Sequence, residues 1–309
     1  MVFDRQTLVI PDGTTIDEDF IQTSGDVIIG DRCLVKYGIK TNGRIFIGEH
    51  VIIDGDLHAT GDIRVDIFTR IRGNMHSDQN VYIGEKVSVD GKLFVAGDLD
   101  VGDSVDVKEG FEAKGWINIR SPIPMVIYIF IYLMQLLKMG HSEEIERILD
   151  ELEQHDGEPI PISEVFLFVP NNAMIGSHSK TDGNVRVGKQ VWIQGSFEVK
   201  GNVVLGDDTI VNGNIASAGN TFCGKHNTIK GSIKAGDAIR LDENTEVTGD
   251  VDGVKLHLAK TAVIQGTCYA SHGMTFITPY DYEADEKIRR FEEDLEILEP
   301  LTESEETSS

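Results

Sequence analysis

One 18-residue stretch of this chain, GRIFIGEHVIIDGDLHAT at residues 43–60, contains the pattern on which most of the sequence is built. Glycine stands at its first, sixth and thirteenth positions, and apolar side chains alternate with polar ones between the glycines. The same spacing recurs through residues 25–119 and again through residues 183–249, and most of the 32 glycines fall on it. A fixed short period indicates structural repeats that stack on their neighbours and bury a shared core.

The apolar positions define three short strands in each repeat. In the quoted stretch they are Ile45/Ile47, Val51/Ile53 and Leu57/Ala59. Each pair has a period of two, so both side chains point to the same side of a strand. We expect the glycines at the corners, where they can adopt a positive φ at little cost. The pattern therefore predicts an all-β fold made of three-sided parallel β-helices with 18-residue coils.

One of the inward columns contains small side chains, which predicts a tight interior corner. It includes Thr41, Ala59, Ser77 and Ala113.

The repeat pattern occurs in two blocks whose lead-in sequences are alike. Residues 8–12 read Leu-Val-Ile-Pro-Asp before the first block, and residues 167–171 read Leu-Phe-Val-Pro-Asn before the second. This similarity indicates an internal duplication. We predict a first β-helix domain at residues 1–120, a linking segment at 121–162, a second β-helix domain at 163–278 and an acidic tail at 279–309.

The linking segment is predicted to form a helical hairpin. Residues 125–137 are apolar apart from Gln135, and Ser142 is a suitable N-cap for a following amphipathic helix. As a helix, residues 123–139 would be about 25 Å long, shorter than the roughly 30 Å hydrocarbon core of a bilayer. Two alternatives remain: the segment packs against a β-helix or a second copy, or it contacts membrane lipid. In either case the predicted contact residues are Ile127, Ile129, Phe130, Leu133, Leu136 and Leu137.

Charge limits the classes of partner. The formal net charge is −24, which argues against binding to nucleic acid and against attraction to anionic lipid headgroups. In the tail, Ile288, Phe291, Leu295 and Leu298 recur at helical spacing and predict a short helix. The N-terminal residues lack an apolar signal region, so we expect a cytoplasmic protein.

The sequence contains no arrangement typical of catalysis or of cofactor binding. The three cysteines, Cys33, Cys223 and Cys268, lack the spacing of a disulfide framework or a zinc site. His58 and His76 occupy the same outward position on adjacent coils, without an evident third ligand. We therefore predict a protein that is not an enzyme, with no catalytic, cofactor-binding or metal-binding residues.

A column of acidic residues follows the second glycine of successive coils. Asp31, Glu49, Glu85 and Asp103 form it, and a solvated corner explains it better than calcium binding.

The coil pattern resembles that of the bactofilins. The segments that carry the resemblance are Gly43-Arg44-Ile45-Phe46-Ile47-Gly48 and Ile53-Asp54-Gly55-Asp56-Leu57-His58-Ala59. The resemblance implies a right-handed β-helix and nucleotide-independent self-assembly into filaments through the ends of the rods. It also implies association with the inner face of the cell membrane and a part in cell shape or in the localisation of client proteins. The bactofilin plan has one β-helix with short tails, and this chain departs from it.

Open coil ends supply the candidate assembly contacts. We predict them at Leu8, Ile10, Trp116, Phe166 and Phe168.

The alternative is a left-handed hexapeptide-repeat acyltransferase. Those enzymes also have 18-residue coils, and pairs such as Ile47-Gly48 and Ile83-Gly84 fit their pattern. Periodicity does not assign the hand of a β-helix. Acyltransferases of this type resemble one another in having a looped-out excursion and a histidine base. The first block here runs without an excursion, and no histidine is marked out by its context.

Overall fold

A computed structural model describes residues 6–119 and 165–277 of the chain. Within those ranges every regular element is a β-strand, which confirms the predicted all-β class. The predicted helical hairpin at 121–162 and the predicted helix in the tail at 279–309 lie outside the described residues.

The strands are short and equal in number before and after the linking segment. The first half contains Leu8–Ile10 (β1), Thr15–Ile16 (β2), Phe20–Thr23 (β3), Asp26–Ile29 (β4), Leu34–Val35 (β5), Gly38–Thr41 (β6), Ile45–Ile47 (β7), Ile52–Ile53 (β8), Leu57–Ala59 (β9), Ile63–Val65 (β10), Arg70–Ile71 (β11), Met75–Ser77 (β12), Val81–Ile83 (β13), Ser88–Val89 (β14), Leu93–Val95 (β15), Leu99–Val101 (β16), Asp106–Val107 (β17), Phe111–Ala113 (β18) and Ile117–Ile119 (β19). The second half contains Phe166–Val169 (β20), Met174–Ile175 (β21), His178–Thr181 (β22), Val185–Val187 (β23), Trp192–Gln194 (β24), Ser196–Val199 (β25), Val203–Leu205 (β26), Ile210–Asn212 (β27), Ile215–Ser217 (β28), Thr221–Cys223 (β29), Thr228–Ile229 (β30), Ile233–Ala235 (β31), Ala238–Leu241 (β32), Glu246–Val247 (β33), Val251–Gly253 (β34), Lys255–Ala259 (β35), Val263–Ile264 (β36), Cys268–Ala270 (β37) and Met274–Ile277 (β38).

These strands form three long sheets, one of 14 strands and two of 12. Within each half, strands of adjacent coils pair in parallel, mostly with a shift of 18 residues, as in Ile45↔Ile63 and Ile63↔Val81, and with a shift of 17 near the end of the second half, as in Val251↔Cys268. The sheets continue from one half into the other. The prediction of two separate β-helices is therefore corrected to one continuous three-sided solenoid, because the two halves are joined strand to strand.

The two halves exchange their lead-in strands at the junction. Strand β1 pairs in parallel with β23 of the second half, and β20 pairs in parallel with β4 of the first half. Between them, β1 and β20 run antiparallel, with Val9 opposite Phe168. Val9 and Phe168 occupy equivalent positions in the two lead-in sequences. Each half therefore completes the sheet of the other.

The strand order has an internal two-fold relation. Each strand of the first half has a counterpart 19 places later in the second half. If every strand in the 14-stranded sheet is replaced by its counterpart and the list is then read backwards, the original strand order is obtained. The same matching converts one 12-stranded sheet into the other. The halves thus meet through their N-terminal coils, and each half extends away from the junction toward its own C-terminal coil.

The core runs along the inside of the solenoid and confirms the predicted inward register. Ile45, Val51 and Ile53 have 0% of their surface exposed, and Ile47 has 3%. Thr41, Ala59 and Ser77 are also buried, which confirms the tight interior corner. The Ser77 hydroxyl donates to the Gly61 carbonyl of the preceding coil (2.9 Å), so this buried hydroxyl is satisfied.

The glycines have a different role from the one predicted. Among the described lattice glycines, only Gly195 has a positive φ. Ten left-handed positions of the described chain are instead occupied by side-chain-bearing residues with φ of 55–61°, and three more by glycines outside the lattice, Gly13, Gly110 and Gly273. The ten side-chain-bearing residues are Arg32, His50, Phe68, Lys86, Ser104, Asn172, Gln190, Asp208, His226 and Asn244. The glycines are needed because coils approach closely: a Cβ on Gly43 would lie 2.6 Å from the Gly25 carbonyl carbon and oxygen.

Asparagine and aspartate side chains beside the glycines connect the coils. Asp62 Oδ1 accepts the Asn80 N–H (3.0 Å), and Asn80 Oδ1 accepts the Asp98 N–H (2.9 Å). A Cβ on Gly97 would come within 2.6 Å of the same Asn80 oxygen. The absence of a side chain on the glycine therefore makes room for a hydrogen bond between coils.

Replacing Ile47 by Asp should destabilise the solenoid by several kcal/mol, because a carboxylate would be buried without a partner. The matched control is Glu49→Gln two residues away, whose side chain is 46% exposed. It should change stability by less than about 0.5 kcal/mol. Thermal unfolding followed by circular dichroism measures both. Equal melting temperatures for Ile47→Asp and the parent would show that the inward register is wrong.

Replacing Gly43 by Ala tests the role of the lattice glycines. The added methyl would meet backbone atoms of the preceding coil, so we expect a loss of about 1–3 kcal/mol. Lys40→Ala, an exposed change on the preceding strand, should be nearly neutral. Chemical denaturation of both variants gives the comparison. A Gly43→Ala variant as stable as the parent would contradict the close approach of the coils.

Candidate assembly surfaces at the two ends

The last coil of the first half exposes side chains whose equivalents in the preceding coils are buried, apart from the partly buried Val101. Phe111, Ile117 and Ile119 occupy inward positions, but they are 50%, 46% and 68% exposed. No further described strand pairs with the outer edges of β17, β18 and β19. The side chains are exposed because no described coil stacks on this one, and we call this surface the first end.

A cavity of about 410 Å³ opens into the core at the first end. Leu99, Val101, Phe111 and Ile117 are among the residues that line it. Trp116, which precedes the lining residue Ile117 in sequence, is 84% exposed, and its backbone N–H donates to Asp98 Oδ1 (2.8 Å). The first end thus combines apolar surface, a hollow and backbone edges that can extend a sheet.

The last coil of the second half forms an equivalent surface, the second end. Cys268, Met274 and Phe276 pair with inward residues of the preceding coil, at Val251, Leu256 and Leu258 respectively. Met274 is 42% exposed and Phe276 is 58% exposed. Both ends of the described solenoid therefore present core-type side chains at the C-terminal coil of a half.

The predicted assembly residues fall in two places. Leu8, Ile10 and Phe168 are buried at the junction between the halves, and Phe166 is half-buried there. Trp116 lies at the first end. In the described structure the lead-in residues join two halves of one chain, and their role in contacts between chains stays a prediction.

Sequence analysis missed the most exposed inward residues of the ends. They are Phe111, Ile117, Ile119, Met274 and Phe276. The sequence contained a signal that could have identified these residues. The 18-residue repeat stops after these two coils, although their own inward side chains are still large and apolar.

The predicted lipid or oligomer contacts at Ile127, Ile129, Phe130, Leu133, Leu136 and Leu137 lie outside the described residues. Over residues 6–119 and 165–277, no helix is long and apolar enough to cross a membrane.

The histidine pair has the geometry expected from its coil positions. The rings of His58 and His76 lie 4.7 Å apart, and the His76 ring stacks on Phe94 at 4.6 Å. Burial and the neighbouring His76 lower the pKa of His58. In the described part of the chain, no group of three or more His, Cys, Asp or Glu side chains is placed to hold a metal ion.

One acidic side chain of the corner accepts a backbone hydrogen bond from the next coil. Asp31 Oδ1 accepts the N–H of Glu49 on the next coil (3.0 Å). This contact is of the same type as the one between Asp62 and Asn80, and it gives Asp31 a structural role.

The three cysteines differ in exposure. Cys33 and Cys223 are buried, and burial raises their thiol pKa values to about 11 and about 12. Cys268 is exposed at the second end, although partial burial and Asp250 also raise its pKa. Since the thiolate is the reactive form, Cys268 is the thiol best suited to report on the second end.

Thiol titration of the native protein should detect one reactive cysteine per chain, Cys268, and denatured protein should give three. A raised pKa leaves less thiolate at neutral pH, so the Cys268 reaction should accelerate as pH rises toward that pKa. Ellman's reagent followed over a pH series measures this, with Cys268→Ser as the control. Rapid reaction of a second thiol in the native protein would show that the core is open to solvent.

Comparison with known proteins agrees with the resemblance seen in the sequence. Residues 173–269 match the family model of the bactofilins, described as polymer-forming cytoskeletal. This match covers most of the second half and ends in its last coil. Comparison with curated proteins and comparison with solved structures gave no match.

Proposed function

We propose that this chain is a non-enzymatic cytoskeletal scaffold that assembles without nucleotide through the two ends of its solenoid. The observation that carries the proposal is the exposure of inward side chains at both ends. The match to a polymer-forming cytoskeletal family at residues 173–269 supports the same class of function.

Stacking of ends has a clear physical driving force. Another coil placed on the first end would bury Phe111, Ile117 and Ile119, and such burial contributes roughly 25 cal/mol per Å² of apolar surface. The same contact would pair strand edges that otherwise remain open. A second copy of the chain offers a surface of the same kind, with the same strand spacing.

The two-fold strand order supports a filament without direction. Both ends are C-terminal coils, so either end can meet a like end of another chain through a self-complementary contact. A chain with two such ends can extend in both directions.

A charge introduced at the ends should block assembly. Ile119→Asp at the first end should stop growth at pairs of chains if like ends join, because the second end stays active. Combining it with Phe276→Asp should give single chains. Electron microscopy without nucleotide and light scattering measure the size of the assemblies.

The control is Asn118→Lys, which adds a charge at a neighbouring exposed position whose side chain points outward and lies beside Asp100, so the new charge is not repelled. It should assemble as the parent does. A parent that stays a uniform single particle across salt and concentration series would refute the proposal, as would filaments that persist in the double variant.

Membrane attachment and a part in cell shape or in placing client proteins follow from the family resemblance. We propose them as the setting in which the scaffold acts. Because of the net charge of −24, membrane contact would have to come from apolar insertion rather than from anionic headgroups.

A further inference from the structure

The cavity of about 410 Å³ at the first end has a mixed lining. Leu93, Leu99 and Phe111 supply apolar side chains, and the polar residues Ser104 and Asp106 line it as well. Its volume falls in the range of about 300–1,000 Å³ that is usual for pockets binding small organic groups. Since a hydroxyl and a carboxylate accept hydrogen bonds, the cavity suits an apolar ring that carries a hydrogen-bond donor.

Trp116 has this chemistry and lies outside the cavity of its own chain. An indole ring is apolar and has a single N–H donor. Trp116 directly precedes the lining residue Ile117, yet it is 84% exposed and is not part of the lining. A tryptophan buries about 150–250 Å² of surface in a core or an interface, so a large apolar area is open for contact with another molecule.

We propose that Trp116 of one chain enters the cavity at the first end of a second copy, which inserts its own Trp116 in return. In a two-fold contact, each surface meets the same surface of the partner, so one arrangement fills both cavities. Tryptophan is also the residue type most often found as an energetic anchor at the centre of an interface. The inference rests on the proposed assembly through the solenoid ends, and it names the side chain that anchors one of them.

The second end lacks this anchor, although its backbone is equivalent. The Leu99 N–H donates to the Trp116 carbonyl (2.8 Å) at the first end, and the Leu256 N–H donates to the Gly273 carbonyl (3.2 Å) at the second. These residues precede the counterpart strands β19 and β38. Glycine therefore occupies the position of Trp116, and the exchange of indole rings is specific to contacts between two first ends.

Pair formation by full-length chains with a blocked second end tests the proposal. Phe276→Asp blocks that end, so only the first end can join two chains, and sedimentation velocity over a concentration series gives the Kd of the pair. Adding Trp116→Ala should raise this Kd at least about 30-fold, as for an interface hot spot. The matched control is Tyr269→Ala, which removes a 62% exposed aromatic side chain at the second end and should leave the Kd unchanged.

Salt is held constant in these measurements because the last coil of the first half is charged. Residues 102–119 contain four carboxylates and two lysines. Repulsion between two such coils is screened by salt, so a change in salt would alter the Kd without any change at Trp116.

Filling the cavity distinguishes insertion of a side chain from general apolar attraction. Val107 lines the cavity and is only partly buried, so Val107→Phe adds apolar surface and occupies part of the space. Insertion predicts a Kd at least about tenfold higher, because the indole would then be overpacked. General attraction predicts an equal or lower Kd. Circular dichroism checks the fold, and if Val107→Phe does not fold, Trp116→Ala decides the question.

Fluorescence reports on Trp116 itself. The chain has two tryptophans, so Trp192→Phe leaves Trp116 as the sole emitter. As the concentration rises through the Kd of the pair, emission should shift to shorter wavelength and quenching by acrylamide should fall, because the ring leaves water.

Four results would overturn the inference while leaving the proposed function in place. They are an unchanged Kd in Trp116→Ala, a Trp116 that acrylamide still quenches in the pair, a Trp116 that is already protected in single chains, and a Phe276→Asp chain that stays single although the parent assembles. The third would assign the indole to a contact within its own chain. A parent that does not assemble under any condition would overturn both the inference and the proposed function.

Discussion

The close approach of successive coils at the glycine corners is the constraint on which the solenoid depends. A Cβ on Gly43 or Gly97 would come within 2.6 Å of atoms in the preceding coil. Because these positions lack a side chain, adjacent coils can form their backbone hydrogen bonds and also the hydrogen bonds from backbone N–H groups to Asp and Asn side chains. The inward apolar positions then fall into columns, and each buried side chain contacts its equivalents above and below. Without the corners, the strands would be too far apart to share hydrogen bonds.

The sequence predicts what repeats locally and misses what depends on neighbours. The inward positions and the small interior corner follow from periodicity, since alternation fixes the side of a strand on which a residue lies. The conformation of the glycines was predicted wrongly. The repeat pattern shows which positions lack a side chain, but it does not show whether the reason is a positive φ or the close approach of another coil. The exchange at the junction was also missed: Leu8 and Leu167 have the same pattern as other strands, and alternation does not identify a partner strand. Buried Asn227 fits the core by accepting the Thr209 N–H and donating to the Gly224 carbonyl, a pairing visible only in three dimensions.

For the candidate assembly surfaces too, the sequence predicts the local pattern and misses what depends on neighbouring elements. The lead-in residues were predicted to be assembly contacts at the coil ends, and the structure places Leu8, Ile10 and Phe168 inside the junction of one chain. The exposed ends carry residues that the periodic pattern assigns to the core. They can be identified as surface residues only when the position of the last coil in the stack is known. For the choice between a scaffold and an acyltransferase, the match at residues 173–269 favours the scaffold.

The exchanged lead-in strands have a consequence for how the protein responds to dilution. Two separate half-solenoids meeting through β1 and β20 would form a complex whose population falls with concentration. Here the halves belong to one polypeptide, so the contact has an effective concentration set by the linking residues 120–164 rather than by the amount of protein. The central joint therefore persists in a lone molecule, whereas any contact between the ends of different molecules obeys mass action. In the proposed assembly, the number of molecules would then set the length, while the single chain would stay intact as its basic unit.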